Sequence, residues 1–531
     1  MKITSRMFNA LLGGLLLVFV LVGQAGAQTW TELFPAGGPP NARGAHTAVF
    51  NLTNDLMIVF GGFQGGNCCT ELNDVWVLSN VDGLGGPSTW TQLAPTGGPP
   101  SPRAVHSAVY DAVNNRMIVY AGDPHLGFCF GAVNDVWVLT NADGTGGTPN
   151  WTQLSPTGGP PQLRVATKAV YDSAANRMVV FGGINNACVG SNGTDVWALD
   201  NANGLGGTPV WTQLAPVGGP PVPNVAGQSV VYDSANNRVI VFGGQDLSTG
   251  LYGNNVWVLS NANGLGGTPT WTQLTPGGAV IPPRVGHSAE YDPATNKMIV
   301  WGGGRPSAIP TNPCGLMNDL WVLSNANGLG GAPAWGQLTS TGGPPTARQY
   351  HSSVFHSATN RMTIFGGNKT ISPTACIGGT LNDSWVRTDA NGNVSFAAFA
   401  PTVVITLGPL GNDDEFTIKA TSTLGTSSDG IAPLTEAVTI HVGSVSATIP
   451  AGSFTFRPAT KKQPAQYTFA GIINGVTLTA KITPLGSNSF EFKAAGIGVE
   501  LTGTVNPVKV ELILGDDQGS ADVTANFIII P

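Results

Sequence analysis

Four histidines, His46, His106, His287 and His351, occupy one equivalent place in a recurring pattern, and histidines brought together could hold a metal. One histidine per repeat at a constant offset argues against a ligand set. These residues are expected to hold neighbouring backbone. Arg43, Arg103, Arg164, Arg284 and Arg348 recur in the same way and carry the same structural expectation. The segment Asn141-Ala142-Asp143-Gly144-Thr145-Gly146 resembles a calcium loop, with oxygen ligands at alternate positions. Asp389-Ala390-Asn391-Gly392-Asn393 is similar. Most copies carry Asn in place of Asp and no bidentate Glu follows, so a plain hairpin turn is expected. Asp123 and His125 share one loop, which is weak ground for catalysis. No G-x-S-x-G elbow, H-E-x-x-H pair or phosphate loop occurs. The expectation is therefore no catalytic residue, no metal and no cofactor.

Stepping from residues to elements, four motifs each occur six times. A W-T-x-L segment begins at Trp30, Trp90, Trp151, Trp211 and Trp271, with a W-G-Q-L variant at Trp335. An H-S-A-V-Y-D-like segment begins at His46, His106, Thr167, Gln228, His287 and His351. An apolar run ends in a small pair at Gly61-Gly62, Ala121-Gly122, Gly182-Gly183, Gly243-Gly244, Gly302-Gly303 and Gly366-Gly367. An N-D-V-W-V-L-like segment centres on Trp76, Trp137, Trp197, Trp257, Trp321 and Trp385. Val, Ile, Trp, Tyr and Thr fill these runs, as half-buried strands require. Each repeat reads as four strands, a to d, exemplified by Arg103–Tyr110, Arg116–Tyr120, Val136–Thr140 and Trp151–Leu154. Asn/Asp/Gly turns lie between c and d, and Gly-Gly-Pro-Pro turns between d and the next a.

An apolar run closed by two glycines and followed by a downstream Trp resembles the kelch repeat. The resemblance covers about residues 29–396 and implies a β-propeller with strand a innermost and strand d on the rim. Two departures stand out. The period is 60–64 residues against a kelch value of about 50. Repeat 4 carries Val225 where the others carry Arg. Some kelch propellers are copper radical oxidases, but no Tyr/Cys/His constellation of that kind is present. The chain enters on a d-type strand, so Trp30–Leu33 is expected to complete the sixth blade. Val394–Phe399 is the competing candidate.

Spacing separates constant from variable connections. The a-strand His position lies fifteen residues before the small pair in every repeat, and the c-strand Trp lies fourteen before the d-strand Trp. The link from the d-strand Trp to the next a-strand start is sixteen, with a single seventeen leading into repeat 4. The b–c connection is the one that varies, giving fifteen, sixteen, fifteen, fourteen, nineteen and nineteen from small pair to Trp. These loops hold the candidate ligand-binding residues Phe63, Asp123, His125, Phe128, Tyr252 and Arg305, since loops on a rigid scaffold usually carry recognition. They also hold every cysteine: Cys68, Cys69, Cys129, Cys188, Cys314 and Cys376. Disulfides are expected. Adjacent repeats favour Cys129–Cys188 and Cys314–Cys376 with Cys68–Cys69 vicinal; Cys69–Cys129 with Cys68–Cys376 is the alternative.

Lys2, Arg6, the apolar run Phe8–Val22 and Ala25-Gly26-Ala27 read as a signal peptide over 1–27, with a mature start at Gln28. No later stretch is long and apolar enough to span a bilayer, so a secreted, periplasmic or cell-surface protein is expected. Only 10% of the residues are charged, the net charge is −7 and no basic stripe occurs, which argues against nucleic acid as a partner. Aromatic and β-branched residues supply enough apolar surface to fold despite 73 Gly and 39 Pro. Beyond about residue 400 the repeat stops. Seven short alternating runs, Phe416–Thr423, Val438–Ile449, Gln466–Ile472, Val476–Ile482, Ser489–Lys493, Val508–Leu514 and Ala521–Phe527, suggest a β-sandwich over 401–531. The whole reads as all-β: a six-bladed kelch-type propeller over 28–400 followed by a β-sandwich-like domain. The expected role is a binding protein that recognises a protein or glycan on its b–c loops. The alternative is an extracellular carbohydrate-active enzyme at the channel mouth, although Glu71 is the sole glutamate near the variable loops.

Overall fold

The computed structural model describes residues 29–530 apart from 66–69, 125–130, 186–194, 220–224, 306–314, 339–342, 371–378, 397, 410–412, 425–427, 429–430, 462, 487, 502 and 516. All six cysteines, His125, Phe128 and the N-terminal segment 1–28 lie outside the described residues. No α-helix occurs among the described residues.

Repeat 1 shows the pattern. Strands a (Thr47–Asn51), b (Leu56–Phe60), c (Val75–Ser79) and d (Thr89–Leu93) form one antiparallel sheet in that order. Strand b is almost wholly buried because both its faces pack on neighbouring sheets, and its residues are all apolar. Strand d is exposed at two of five positions and is polar there. Repeats 2 to 6 repeat this sheet, with a strands at Ser107–Asp111, Lys168–Asp172, Ser229–Asp233, Ser288–Asp292 and Ser352–His356. The sheets stay separate, and each a strand packs beside the a strands of the two flanking repeats, that of repeat 6 beside that of repeat 1.

The sixth sheet takes its outer strand from the start of the chain. Trp30–Leu33 pairs antiparallel with Ser384–Arg387, strand c of repeat 6. Within the competing candidate, Val394–Phe399, Val394–Ser395 instead pairs in parallel with the strand Asp517–Val523. The Trp30 indole supplies the reason: it sits 5.4 Å from Trp301 of repeat 5. Each d-strand Trp meets the aromatic that ends strand b of the preceding repeat in this way, as Trp151 meets Phe60 at 5.1 Å and Trp211 meets Tyr120 at 5.2 Å. The outer edges of the d strands are covered too. The linker leaving one repeat runs parallel to the next d strand, through Ala36 on Thr89, Thr96 on Asn150 and Gly277–Gly278 on Ala334–Trp335.

Strand a begins at Ser107, not at Arg103 as the sequence pattern suggests. The residue before each a-strand His position is left-handed: Ala45, Val105, Ala166, Gly227, Gly286 and Tyr350 all have φ between 49° and 71°. A left-handed residue breaks the extended run, and its amide turns toward the preceding repeat. Val105 donates to Ala45 O, Ala45 to Tyr350 O, Tyr350 to Gly286 O, Gly286 to Gly227 O and Ala166 to Val105 O. The small pair is explained by proximity. A Cβ on Gly61 would stand 2.8 Å from Arg103 O and 3.1 Å from the His106 ring. Repeat 2 carries Ala121 at this place, and the next repeat carries Thr167 in the histidine position.

Side chains latch every seam. Asn203 donates to Asp111, Asn263 to Asp172, Asn327 to Asp233 and Asn391 to Asp292, each c–d turn reaching the a strand of the preceding repeat. Between repeats 1 and 2 the types are exchanged, with Asn51 donating to Asp143 at 2.9 Å. The calcium-like loop is thus a turn whose Asp143 oxygens are taken by Asn51, Asn54, Asn115 and Thr145.

Beyond the repeats, two sheets enclose a second apolar cluster. One has five strands, Val394–Ser395, Asp517–Val523, Val508–Leu514, Val438–Val442 and Val445–Ile449 in that order. The other has seven, among them Ala398–Leu407, Asp414–Thr423, Val476–Gly486 and Ser489–Val499. Asp414–Thr423 alternates buried and exposed residue by residue, as a strand with one face on a core must. Ile418, Phe492, Ile440 and Leu512 meet in that core. Two expected strands are each divided. Val438–Ile449 folds into a hairpin at Gly443, and Ala521–Phe527 spans the end of one strand and the start of another in the other sheet. Ala398–Leu407 is a strand that the pattern did not single out. The two regions touch through Asn393, which donates to Gln518 Oε1 at 2.9 Å.

Candidate functional site

The a strands line a cavity of about 500 Å³ that runs along their length. At their first position stand Thr47, Ser107, Lys168, Ser229, Ser288 and Ser352; at their third, Val, Val, Val, Val, Glu290 and Val. Four of the first-position hydroxyls are spent between repeats. His46 Nε2 shares a 2.8 Å hydrogen bond with Ser352 Oγ, His106 with Thr47, His287 with Ser229 and His351 with Ser288. Burial, then the nearby arginine charge, holds these four imidazoles below their ordinary value of 6.5, so they are neutral latches. They join side chain to side chain, where the sequence pattern suggested backbone contacts.

The arginines act beside them. Arg43 is fully buried and grips Asp74 with two bonds of 2.7 and 2.8 Å, and its remaining donors reach Gly61 O and Asn41 O. Arg103–Asp135, Arg164–Asp195, Arg284–Asp319 and Arg348–Asp383 repeat the clasp. The same aspartate accepts the indole N–H two residues on, as from Trp76. Sequence reasoning missed these partners. The signal was present: the repeat with Val225 is also the one with Asn255 in the aspartate position, and there Trp257 Nε1 is buried without a partner.

Two residues break the channel pattern with charge. Glu290 replaces a valine and accepts from Ser353 Oγ at 2.5 Å. Burial pushes its carboxyl up to about 8. Lys168 replaces a Ser/Thr, and burial lowers its amine from 10.5. Neither residue stood out in the sequence as a site, because each is a single departure within an otherwise regular strand. A titration consequence follows for Glu290. Between pH 4.5 and about 8 the unfolded chain has released this proton and the folded chain retains it, so stability falls as pH rises through that window. Glu290→Val is expected to flatten this part of a urea-denaturation pH series; an unchanged slope would assign it to other groups.

On the variable face, the expected ligand-binding residues divide. Phe63 is buried with Ala45 and Ala104, and Asp123 is 1% exposed in a bridge to Ala104. Both shape the floor of the face. Arg305 is exposed and Tyr252 is half-buried. The Tyr252 phenol lies close enough to Tyr350 to raise the latter's pKa, after burial. Leu251 beside it is 69% exposed. No group of three or more potential metal ligands occurs among the described residues.

A family profile described as the KLHDC2/KLHL20/DRC7 Kelch-repeats domain matches residues 17–149 and 235–394. The chain is similar to human multiple epidermal growth factor-like domains protein 8, with 27% identity over 282 residues, which is 52% of this chain and 9% of that protein. It is similar to the rice Adagio-like protein 1, with 28% identity over 298 residues, 54% of this chain and 42% of that one. It is also similar to the Drosophila melanogaster leucine-zipper-like transcriptional regulator 1 homolog, with 27% identity over 353 residues, 64% of this chain and 31% of that one. The chain therefore spans less than half the length of each of these relatives.

Proposed function

The chain belongs to the kelch-repeat family, and from that premise we propose that it is a six-bladed β-propeller that binds a protein partner on its b–c loop face. The observation that carries this is the contrast between connections. Side chains at equivalent positions tie neighbouring repeats, and the other connections are constant in length apart from one extra residue entering repeat 4, while the b–c loops differ from repeat to repeat. A rigid ring bearing one variable face is the arrangement of a recognition scaffold. We further propose that the protein is exported, with residues 1–27 removed, and that its six loop cysteines form disulfides there. The second pair of sheets is read as a β-sandwich over residues 401–531 that supports or attaches the propeller.

Kelch domains bind proteins, and a glycan ligand on the same face is the finer variant of the proposal. The carbohydrate-enzyme reading is less well supported. Glycoside hydrolysis generally uses two carboxyl groups, and the described channel lining holds one, Glu290.

Arrays of extracellular protein domains and of glycans, probed with the mature chain, test the reading. Saturable binding to a protein is expected. It should weaken roughly tenfold or more in Tyr252→Ala and Leu251→Ser, and stay unchanged in Leu205→Ser and Leu265→Ser on the c–d turns. Loss on the turn variants with retention on the loop variants would reverse the assigned face. Turnover of a bound glycan would instead establish the enzyme.

A further inference from the structure

The seams are nearly equivalent, so a seam that departs from the rest at several independent points is informative. That seam lies between repeats 3 and 4. The link entering repeat 4 is one residue longer than the others. Within repeat 4, on one side of this seam, the Arg–Asp clasp is replaced by Val225 and Asn255. Among the described residues, no backbone bond links the Gly227 amide to Ala166 O, although five equivalent links exist. The His–hydroxyl latch is replaced on both sides at once. Gln228 stands in the histidine position and Lys168 in the hydroxyl position. They do not bond each other: Gln228 Oε1 is buried without a partner, and the Lys168 amine makes no hydrogen bond or ion pair among the described residues.

The Lys168 side chain instead lines the channel, where it meets both the main cavity and the narrower space of about 100 Å³ beneath the left-handed ring. The other charged residue of the cavity is Glu290, two strand positions deeper. That offset corresponds to roughly 7 Å along the strand direction. The two groups are not an ion pair, and nothing else in the lining neutralises either. The same lining is apolar at Ala169, Val170, Val230 and Val231, on the a strands of repeats 3 and 4. An amine near one end, a carboxyl further in, an apolar wall and a cavity of ligand size make a recognisable complement.

We propose that the channel binds a small zwitterionic solute, its carboxylate on Lys168, its ammonium on Glu290 and its short carbon chain against the alanine and valine wall. The site is separate from the partner surface on the b–c loops, so either can fail without the other. The ligand's ammonium draws the Glu290 proton off, because a paired carboxylate is favoured over the buried acid.

Calorimetric titration of the mature chain with 4-aminobutanoate, 5-aminopentanoate, 6-aminohexanoate and 8-aminooctanoate tests this, with hexanoate and hexylamine as single-ended controls. One member of the series is expected to bind saturably at one site, at least roughly tenfold more tightly than either control. Lys168→Ser and Glu290→Val are the decisive variants. Each places at its position the residue type that the equivalent repeats carry, so each is expected to fold and melt as the parent does or higher. Each should abolish binding of the zwitterion. Below pH 8, binding should release a proton, read as a dependence of the observed heat on the buffer's ionisation enthalpy. Absence of binding across the series overturns the proposal. So does equal binding of the controls, or retention of affinity in both variants.

Discussion

Arg103→Met is expected to destabilise the repeat region by about 3–5 kcal/mol, the cost of leaving one member of a buried ion pair without its partner. Arg103 is fully buried, and its bonds to Asp135 are 2.6 and 2.9 Å. Its other donors reach Ala121 O and Ser101. Burial alone would raise the Asp135 carboxyl; the Arg103 hydrogen bonds and charge outweigh it and hold the group below 3.8. The methionine variant removes that compensation and also strands the Ala121 carbonyl. Repeat 4 supplies the control. Arg103→Val combined with Asp135→Asn copies Val225 and Asn255, and is expected to recover most of the loss, since removing both charges leaves neither uncompensated. Urea denaturation followed by tryptophan emission measures both. A single variant that loses under about 1 kcal/mol, the range of exposed pairs, would show the clasp to be a surface-like contact. The sign with pH is also defined. A depressed carboxylate contributes its stability above 3.8 and loses it as pH falls through the folded value, so the parent–variant gap should narrow in acid.

Trp30→Ala is expected to cost about 3–5 kcal/mol, as for other large buried aromatics. Trp30 is 3% exposed against Trp301. Its consequence differs from that of an equivalent tryptophan elsewhere. Trp211→Ala opens a cavity within a sheet whose four strands are contiguous in the chain. Trp30→Ala weakens the one sheet built from both ends of the repeat region, over Trp30↔Arg387 to Leu33↔Ser384. Hydrogen exchange at Thr388, whose amide bonds to Thr29 O, and along Ser384–Arg387 is expected to accelerate in the Trp30 variant and not in the Trp211 variant. Equal protection in both would mean that the sixth sheet does not depend on the first strand.

The strands and their order within a repeat were legible because each motif recurs with constant spacing, and a period-two pattern of Val, Ile, Trp and Tyr maps directly onto a half-buried strand. The joining of Trp30 to the sixth sheet was legible for the same reason, since a d-type motif without a preceding c strand needs one. The boundaries were less so. The start of strand a is set by left-handed residues such as Val105 and Tyr350, which carry no glycine to announce them. Their backbone is imposed by bonds to the neighbouring repeat. In the second region, Ala398–Leu407 escaped notice because Pro401 interrupts its alternation.

Chemistry-bearing residues were identified by type but without their side-chain partners. The histidines and arginines were recognised as structural from their regularity. That His46 should meet Ser352, or Arg43 meet Asp74, depends on which repeats lie side by side, information that spacing does not contain. Lys168 and Glu290 show the converse. In sequence each is one substitution in a strand of a repeat, 122 positions apart. Only the packing of six a strands around a common cavity brings both to the same lining.

The sequence by itself determined that the chain is all-β, that its first two-thirds repeat six times, and that the b–c loops vary. Those properties follow from local pattern: side-chain periodicity and turn chemistry act over a few residues. The tertiary structure decided what each conserved position of the repeat is for and which departures matter. A latch between repeats takes one partner from each, and a channel takes one strand from every repeat. Neither can be assembled from distances along the chain.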